Sequence, residues 1–325
     1  MTWERNAPEG DEAAKCKYDI VQFTRGRGLD LGCGPYKAFP HFIGVDNGTD
    51  TQLFGRPMQP DIRIRTCEKL DMFADGSMDF VFSSHLLEHV EDFKAALKEW
   101  WRVIVEGGHL VLYLPHRDLY PNIGKPGSNP DHKHDFVPED IIEALFAIAD
   151  SGRVLVDEVR NEGNEYSFLL VIQKCSDGVW NIDPPARPPK TACVVRYGGF
   201  GDQLQAANIL PELKRQGYHV TLMTTPKGRD ILKHDPHIDE FFIQDNDQVP
   251  NNELGKFWGV QSQRFDKFVN LSESVEGTLL AQPGRMIHIW PDSVRRKLLN
   301  RNYLEFVSDI AEVPYRSEAK FYPTP

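Results

Sequence analysis

The stretch Arg27-Gly28-Leu29-Asp30-Leu31-Gly32-Cys33-Gly34-Pro35 constrains this chain more than any other. Leu29 and Leu31 belong on a buried sheet strand, and that strand runs straight into a glycine-rich turn. Gly32 and Gly34 let the backbone turn sharply and approach a ligand with no side chain in the way. Glycine turns after a first strand usually cradle a nucleotide-like cofactor.

The residues that follow alternate between strand and helix patterns. Phe42-Ile43-Gly44-Val45-Asp46 is a short apolar strand ending in an acid, and Ile62-Arg63-Ile64-Arg65 alternates as a third strand. Met78-Asp79-Phe80-Val81-Phe82-Ser83-Ser84 is a fourth. Phe93, Leu97, Trp100, Trp101 and Ile104 recur at helical spacing, which predicts a helix over 91–106, opened by acids and stopped by Gly107-Gly108. A fifth strand is expected over 109–114, a helix over 138–150 with Pro138 at its start, and a closing hairpin from 154–156 and 168–172. Such alternation implies a mostly parallel sheet with helices on both faces, its ligand beyond the carboxyl ends of the strands.

The sharpest change of composition is residues 176–190, with Pro184-Pro185 and Pro188-Pro189, which reads as a stiff exposed linker. It divides the chain into domains over 1–175 and 191–325. The formal net charge of −11 argues against a nucleic-acid backbone as partner. The five cysteines form no C-x-x-C pair, which fits a reducing cytosol. No apolar run approaches a membrane span, and the N-terminus is polar rather than signal-like, so a cytoplasmic location is expected.

A dinucleotide fingerprint needs a third glycine and an acid about twenty residues on. Lys37 stands where that glycine would fall, and Asp46 comes too early, so a nicotinamide cofactor does not fit. The motifs Asp30-Leu31-Gly32-Cys33-Gly34-Pro35, Gly44-Val45-Asp46, Ala74-Asp75-Gly76-Ser77-Met78-Asp79, Ser84-His85-Leu86-Leu87-Glu88-His89-Val90 and Trp101-Arg102-Val103-Ile104-Val105-Glu106-Gly107-Gly108 come in the order seen in class I S-adenosylmethionine-dependent methyltransferases. The first domain resembles the type 11 group of that class over about residues 20–175, with Glu106 replacing the usual proline. The resemblance implies a seven-stranded Rossmann-like sheet. It also implies roles. Asp30, Gly32, Cys33 and Gly34 would lie against the amino-acid part of the cofactor, and Asp46 would accept the ribose hydroxyls. Thr66-Cys67 would frame the adenine where the group often has Asp-Ala, and Ser84 would belong to the cofactor edge of the fourth strand. In their own right, Cys33 and Cys67 also read as small buried filler.

Methylation of a hydroxyl needs a base near the attacking oxygen, and histidine is the usual choice near neutral pH. His85 falls just after the fourth strand and His116 just after the fifth. His132 and His134 lie in Asp131-His132-Lys133-His134-Asp135, within a long Pro-, Gly- and Asn-rich segment that reads as a lid over the acceptor. His85, His116 and His134 are the candidate catalytic residues of this domain. The Asp-His-Lys-His-Asp run could instead supply ligands to a divalent metal, or be a polar loop that satisfies its own backbone. Glu88 and His89 read as structural hydrogen-bonding residues.

Past the linker, Ala192-Cys193-Val194-Val195-Arg196 is a strand, and Tyr197-Gly198-Gly199-Phe200-Gly201-Asp202 is a second glycine turn. A helix restarted at Pro211 and closed by Gly217 follows, then the strand His219-Val220-Thr221-Leu222-Met223. The ordered pieces Arg196 to Asp202, Leu213-Lys214-Arg215-Gln216-Gly217-Tyr218, His234-Asp235-Pro236-His237-Ile238-Asp239-Glu240 and Phe268-Val269-Asn270-Leu271 resemble the acceptor-binding half of heptosyltransferase-like GT-B glycosyltransferases. That resemblance implies Asp202 as a base. The donor half would begin near Phe321-Tyr322-Pro323-Thr324-Pro325, so a shortened chain without glycosyl transfer of its own is expected.

The sequence therefore points to two Rossmann-like α/β domains and to an S-adenosylmethionine-dependent methyltransferase acting on a sugar or other small-molecule or glycan acceptor. A truncated bifunctional methyltransferase–glycosyltransferase and a non-catalytic assembly module are the alternatives. Oligomeric state is not legible.

Overall fold

A computed structural model describes residues 10–48, 52–53, 56–272, 290–300, 302–316 and 320–323. The polar stretch before Gly10 and the terminal Thr324-Pro325 lie outside the described residues. The chain divides into two units, one ending at Ala186 and the other running from Arg187.

The first unit is an α/β fold around one large sheet. Its strands are β1 (Gly28–Leu31), β2 (Ile43–Asp46), β3 (Ile62–Arg63), β4 (Met78–Ser84), β5 (Ile104–Pro115), β6 (Gly152–Arg160), β7 (Ser167–Lys174) and the short β8 (Trp180–Asn181). Their spatial order is β8-β6-β7-β5-β4-β1-β2-β3. β1 pairs in parallel with β2 on one side and β4 on the other. The order therefore reverses at β1, and the crevice beyond its carboxyl end is where such sheets bind ligands. All four β1 residues are buried, as a central strand covered on both faces requires. β7 runs antiparallel to both β5 and β6, which realises the closing hairpin. The sheet exceeds the expected seven strands by β8.

The short helix α1 (Ala13–Cys16) precedes β1. Helix α2 (Phe93–Val103) begins at Asp92, whose carboxylate accepts the Ala95 N–H at 3.0 Å. It buries Ala96, Leu97, Trp100 and Trp101 in the core. The helix ends three residues before the expected stop. Chain pairing takes over at Ile104, opposite Met78, and Gly107-Gly108 lie inside β5. The Lys174 ammonium donates to the carbonyls of Trp101 and Ile104, each at 2.7 Å, and so satisfies the helix end without glycine. Asp92→Ala is expected to lower unfolding free energy by about 1 kcal/mol, the usual cost of a lost N-cap, read from urea midpoints with an unchanged slope. Helix α3 (Pro138–Phe146) starts on its proline, as the sequence indicated, and closes before 150.

The presumed linker is only partly one. β8 pairs with the start of β6, and Trp180 stacks on Trp101 with ring centroids 6.1 Å apart. Its indole N–H donates to the Ala149 carbonyl at 3.0 Å. Burial of that indole outweighs the local proline-rich composition and ties this half of the stretch to the first unit.

The second unit holds β9 (Thr191–Val195), α4 (Phe200–Ala207), α5 (Leu210–Arg215), β10 (His219–Thr224), α6 (Pro226–Leu232), β11 (Glu240–Ile243), α7 (Leu254–Ser262), β12 (Lys267–Asn270), α8 (Asp292–Leu299) and α9 (Tyr303–Ile310). Its four strands are all parallel, in the order β11-β10-β9-β12. This is a parallel α/β unit with its own glycine turn at the β9 end. Among the described residues, no helix is long and apolar enough to cross a membrane.

Candidate active site

The glycine turn after β1 takes the backbone shape that glycine permits. Gly32 has φ 72° and Gly34 φ 53°. Asp46, at the end of β2, accepts the Gly34 N–H at 2.9 Å and the Gly48 N–H at 3.3 Å, so its carboxylate lies across the turn. Asp30 is 2% exposed, and its carboxylate accepts the Ala38 N–H at 2.8 Å. Burial raises its pKa to about 7, against the opposing effects of that bond and of Lys37.

A cleft of about 670 Å³ opens in front of this turn, within the usual size range for small-molecule sites. Asp30, Gly32, Cys33, Gly34 and Ser84 line one end. The Ser84 hydroxyl is buried and, among the described residues, has no hydrogen-bond partner. His85, Glu88, His89, Tyr120, Asn129, Asp131, His132 and Tyr166 also line the cleft, together with Asp11 and Glu12.

His85 has φ 50°, a strained backbone for a residue with a side chain. The strain turns it off the end of β4 toward the cleft. Its Nε2 lies 3.0 Å from the Ser167 hydroxyl and 3.7 Å from Glu12. Burial lowers its pKa to about 3, so the ring is neutral. Beyond it, the 3-10 turn Leu87–His89 presents Glu88 and His89. The Glu88 side chain is fully buried, and neither carboxylate oxygen has a hydrogen-bond partner among the described residues. The structural hydrogen bonding expected of Glu88 comes from its main chain, whose carbonyl accepts from Lys133 and His134. These bonds fasten residues 116–137 onto the turn and bring His132 face-to-edge against His89, with centroids 4.7 Å apart.

The other candidates lie elsewhere. His116 forms an isolated bridge with Phe136, and its Nδ1 accepts the Asp118 N–H at 3.2 Å. His134 Nε2 lies 3.0 Å from the Val90 carbonyl and 3.3 Å from that of Glu91. Thr66 bonds Glu68, and the Cys67 carbonyl accepts the Trp100 indole N–H at 2.9 Å. None of these four lines the cleft, nor does Asp46. Burial pushes the Cys33 thiol far above its usual range, so it is a small inert wall. In the second unit, Asp202 accepts from Arg196 at 2.7 Å and from the Gly199 N–H at 2.8 Å. Both its oxygens are therefore engaged at the start of α4. Sequence reasoning missed Asp11, Glu12, Tyr120 and Tyr166, which reach the cleft only through tertiary packing and carry no motif.

Residues 29–112 match the profile of a family described as a methyltransferase domain. Among solved structures, an S-adenosylmethionine-dependent methyltransferase from Mesorhizobium loti is 18% identical, covering 51% of this chain and 99% of its own, with a TM-score of 0.40. A SAM-dependent methyltransferase from Archaeoglobus fulgidus is 17% identical, covering 50% and 92%, with a TM-score of 0.35. No curated protein sequence matches the chain. The chain is an enzyme carrying a methyltransferase domain, and the two similar structures are named for their dependence on S-adenosylmethionine. The residues present suit that group. Buried Asp30 and half-buried Asp11 offer acid to an ammonium, and the orphaned Ser84 hydroxyl needs a polar partner.

Proposed function

We propose that this enzyme methylates a hydroxyl oxygen of a sugar or glycan-related small molecule. When bound, S-adenosylmethionine supplies a sulfonium methyl group as electrophile, and its sulfur leaves as a neutral thioether. Asp30, the Gly32 and Gly34 backbone and Ser84 would hold its amino-acid end; Asp46, now bonded to the Gly34 and Gly48 N–H groups outside the cleft lining, would take the ribose only by giving up part of that bonding. The chain's own residues bind the acceptor and orient one of its oxygens. The observation that carries this reading is the polar half of the cleft, where Tyr120, Asn129, Asp131, His132 and Tyr166 face one space. Hydrogen-bonding groups in that number suit a polyhydroxylated acceptor and would be left unpaired around an apolar one.

The second unit supports the glycan part of the reading. Its parallel sheet and the Gly198–Asp202 corner suit an acceptor-binding GT-B half, a role in which the same chain handles glycan substrates. A bifunctional enzyme is the second form of the same proposal, with Asp202 as its base. The five free cysteines suit the cytoplasm, which is the proposed location.

The test is product mass spectrometry with labelled cofactor and a panel of sugars and nucleotide sugars. Mass gain on a sugar oxygen is expected. Gain on aromatic or amine acceptors alone would overturn the sugar assignment. His85→Ala is expected to lower kcat, because it removes the ring that the strained β4 end turns toward the cleft and that bonds the Ser167 hydroxyl. Turnover at the parent rate would remove His85 from the mechanism.

A further inference from the structure

The cleft contains one arrangement that methyl transfer from S-adenosylmethionine does not by itself require. Glu88, His89 and His132, all in its lining, each offer a ligand-type atom, and those atoms all lie within 4.8 Å of one another. Atoms bound to one ion at roughly 2.0–2.2 Å stand at most about 4.4 Å apart, so small side-chain rotations would close the set on an ion. We propose that Glu88, His89 and His132 bind one divalent transition-metal ion, with the cleft-facing coordination positions left to acceptor oxygens.

Three observations support the site. The first is the Glu88 carboxylate, which is 0% exposed with both oxygens lacking hydrogen-bond partners among the described residues. A buried acid without partners is costly, and its nearest neighbours of opposite potential charge, His85 Nδ1 at 3.7 Å and His89 Nε2 at 3.9 Å, are beyond hydrogen-bond reach. A cation at this point would satisfy the carboxylate. The second is rigidity. The Lys133 N–H donates to the Glu88 carbonyl at 2.7 Å, so the two segments that carry the ligands are joined by main chain one residue from His132. The third is support around the histidines. The Asp131 main chain hydrogen-bonds the His89 ring, and Tyr120 packs on His132 with centroids 5.3 Å apart. Orienting contacts of this kind usually accompany metal-bound imidazoles.

Two imidazoles and a carboxylate favour Mn²⁺, Fe²⁺, Co²⁺ or Zn²⁺ over the all-oxygen sites of Mg²⁺ and Ca²⁺. His134, the other half of the Asp-His-Lys-His-Asp run, is excluded by its engagement with the Val90 and Glu91 carbonyls. The acceptor-facing role rests on the proposed hydroxyl chemistry, since a metal with open positions binds hydroxyl oxygens and makes them more acidic. The metal site itself does not depend on that reading.

The test uses the full chain, stripped with chelator and returned to metal-free buffer. Calorimetry with MnCl₂ and with CoCl₂ is expected to show one ion per chain, and Co²⁺ to give a visible absorption band of a nitrogen- and oxygen-ligated ion. His132→Ala and His89→Ala are each expected to weaken binding at least tenfold. His219→Ala, in the second unit, should leave it unchanged. S-adenosylmethionine binding is measured on the same stripped sample and shows that it is folded. A chain that binds the cofactor but neither metal would overturn the site, as would equal metal affinity in both histidine variants. Metal uptake lost in those variants, in a chain that does not bind the cofactor, would uphold the site and sink the methyl-transfer reading alone.

Discussion

Gly32→Val is expected to weaken S-adenosylmethionine binding roughly 30- to 4,000-fold, measured by calorimetry on folded protein. The glycine sits at φ 72°, where a side chain costs roughly 1–2 kcal/mol and a β-branched one more. A Cβ placed there would meet Leu86 Cβ and Cδ2 at 2.9 Å, closer than packed carbons tolerate. Overpacking of this kind adds roughly 1–3 kcal/mol. The chain can relieve both by moving the turn. The turn is also the proposed cradle of the cofactor, so binding must restore the strained shape and its cost becomes lost affinity. At about 1.4 kcal/mol per factor of ten, the sum gives the stated range. Gly107→Val separates backbone strain from site geometry. Gly107 has φ 79° with nothing within 4 Å of an added Cβ, and it lies at the far end of β5 from the carboxyl-end crevice. That variant should lose stability and keep cofactor affinity. Equal affinity in parent and Gly32→Val would show that the turn is not where the cofactor binds.

The contrast between these two glycines shows which parts of the fold can be read locally. The strands around the turn have short-range signatures. Leu29 and Leu31 alternate, Asp46 ends its strand, and Met78 to Ser84 has a continuous apolar centre at Phe80-Val81-Phe82, so the sheet and its crevice were legible. Gly107-Gly108 misled because a glycine pair stops many helices, while here Lys174, about seventy residues away, satisfies the helix end. Trp180 belongs to the first unit for the same kind of reason, since its indole bonds Ala149 across thirty-one residues. The polar half of the cleft was less legible still. His132 meets Glu88 and His89 only because Lys133 and His134 donate to the Glu88 carbonyl. A sequence shows that residues 115–137 are too long for a plain connection. It does not show which of His132 and His134 turns inward, because that depends on main-chain bonds to a turn some forty residues earlier.

Cofactor affinity is expected to rise with pH, close to tenfold per unit between pH 5 and 7, and to level off above that. The argument starts from Asp30, whose free-state pKa is raised to about 7, chiefly by burial. Below that value the carboxyl is mostly protonated and neutral. If the cofactor's ammonium lies against Asp30, the bound state favours the ionised carboxylate and holds its pKa lower than in the free protein. Binding then releases a proton, and the affinity falls as pH drops through the free-state value. The groups that act on Asp30 are Lys37, which lowers its pKa, and Asp11 and Asp46, which raise it. Asp11 lines the same cleft and is itself shifted upward by burial, so it changes affinity in the same direction at lower pH. Asp30→Asn keeps an oxygen for the Ala38 N–H and removes the titration. Its profile should be nearly flat from pH 6 to 7, with affinity at pH 7 at least tenfold below the parent. A parent profile that is flat over this range, or one that survives unchanged in Asp30→Asn, would place the ammonium away from Asp30 and reverse the cofactor's orientation in the cleft.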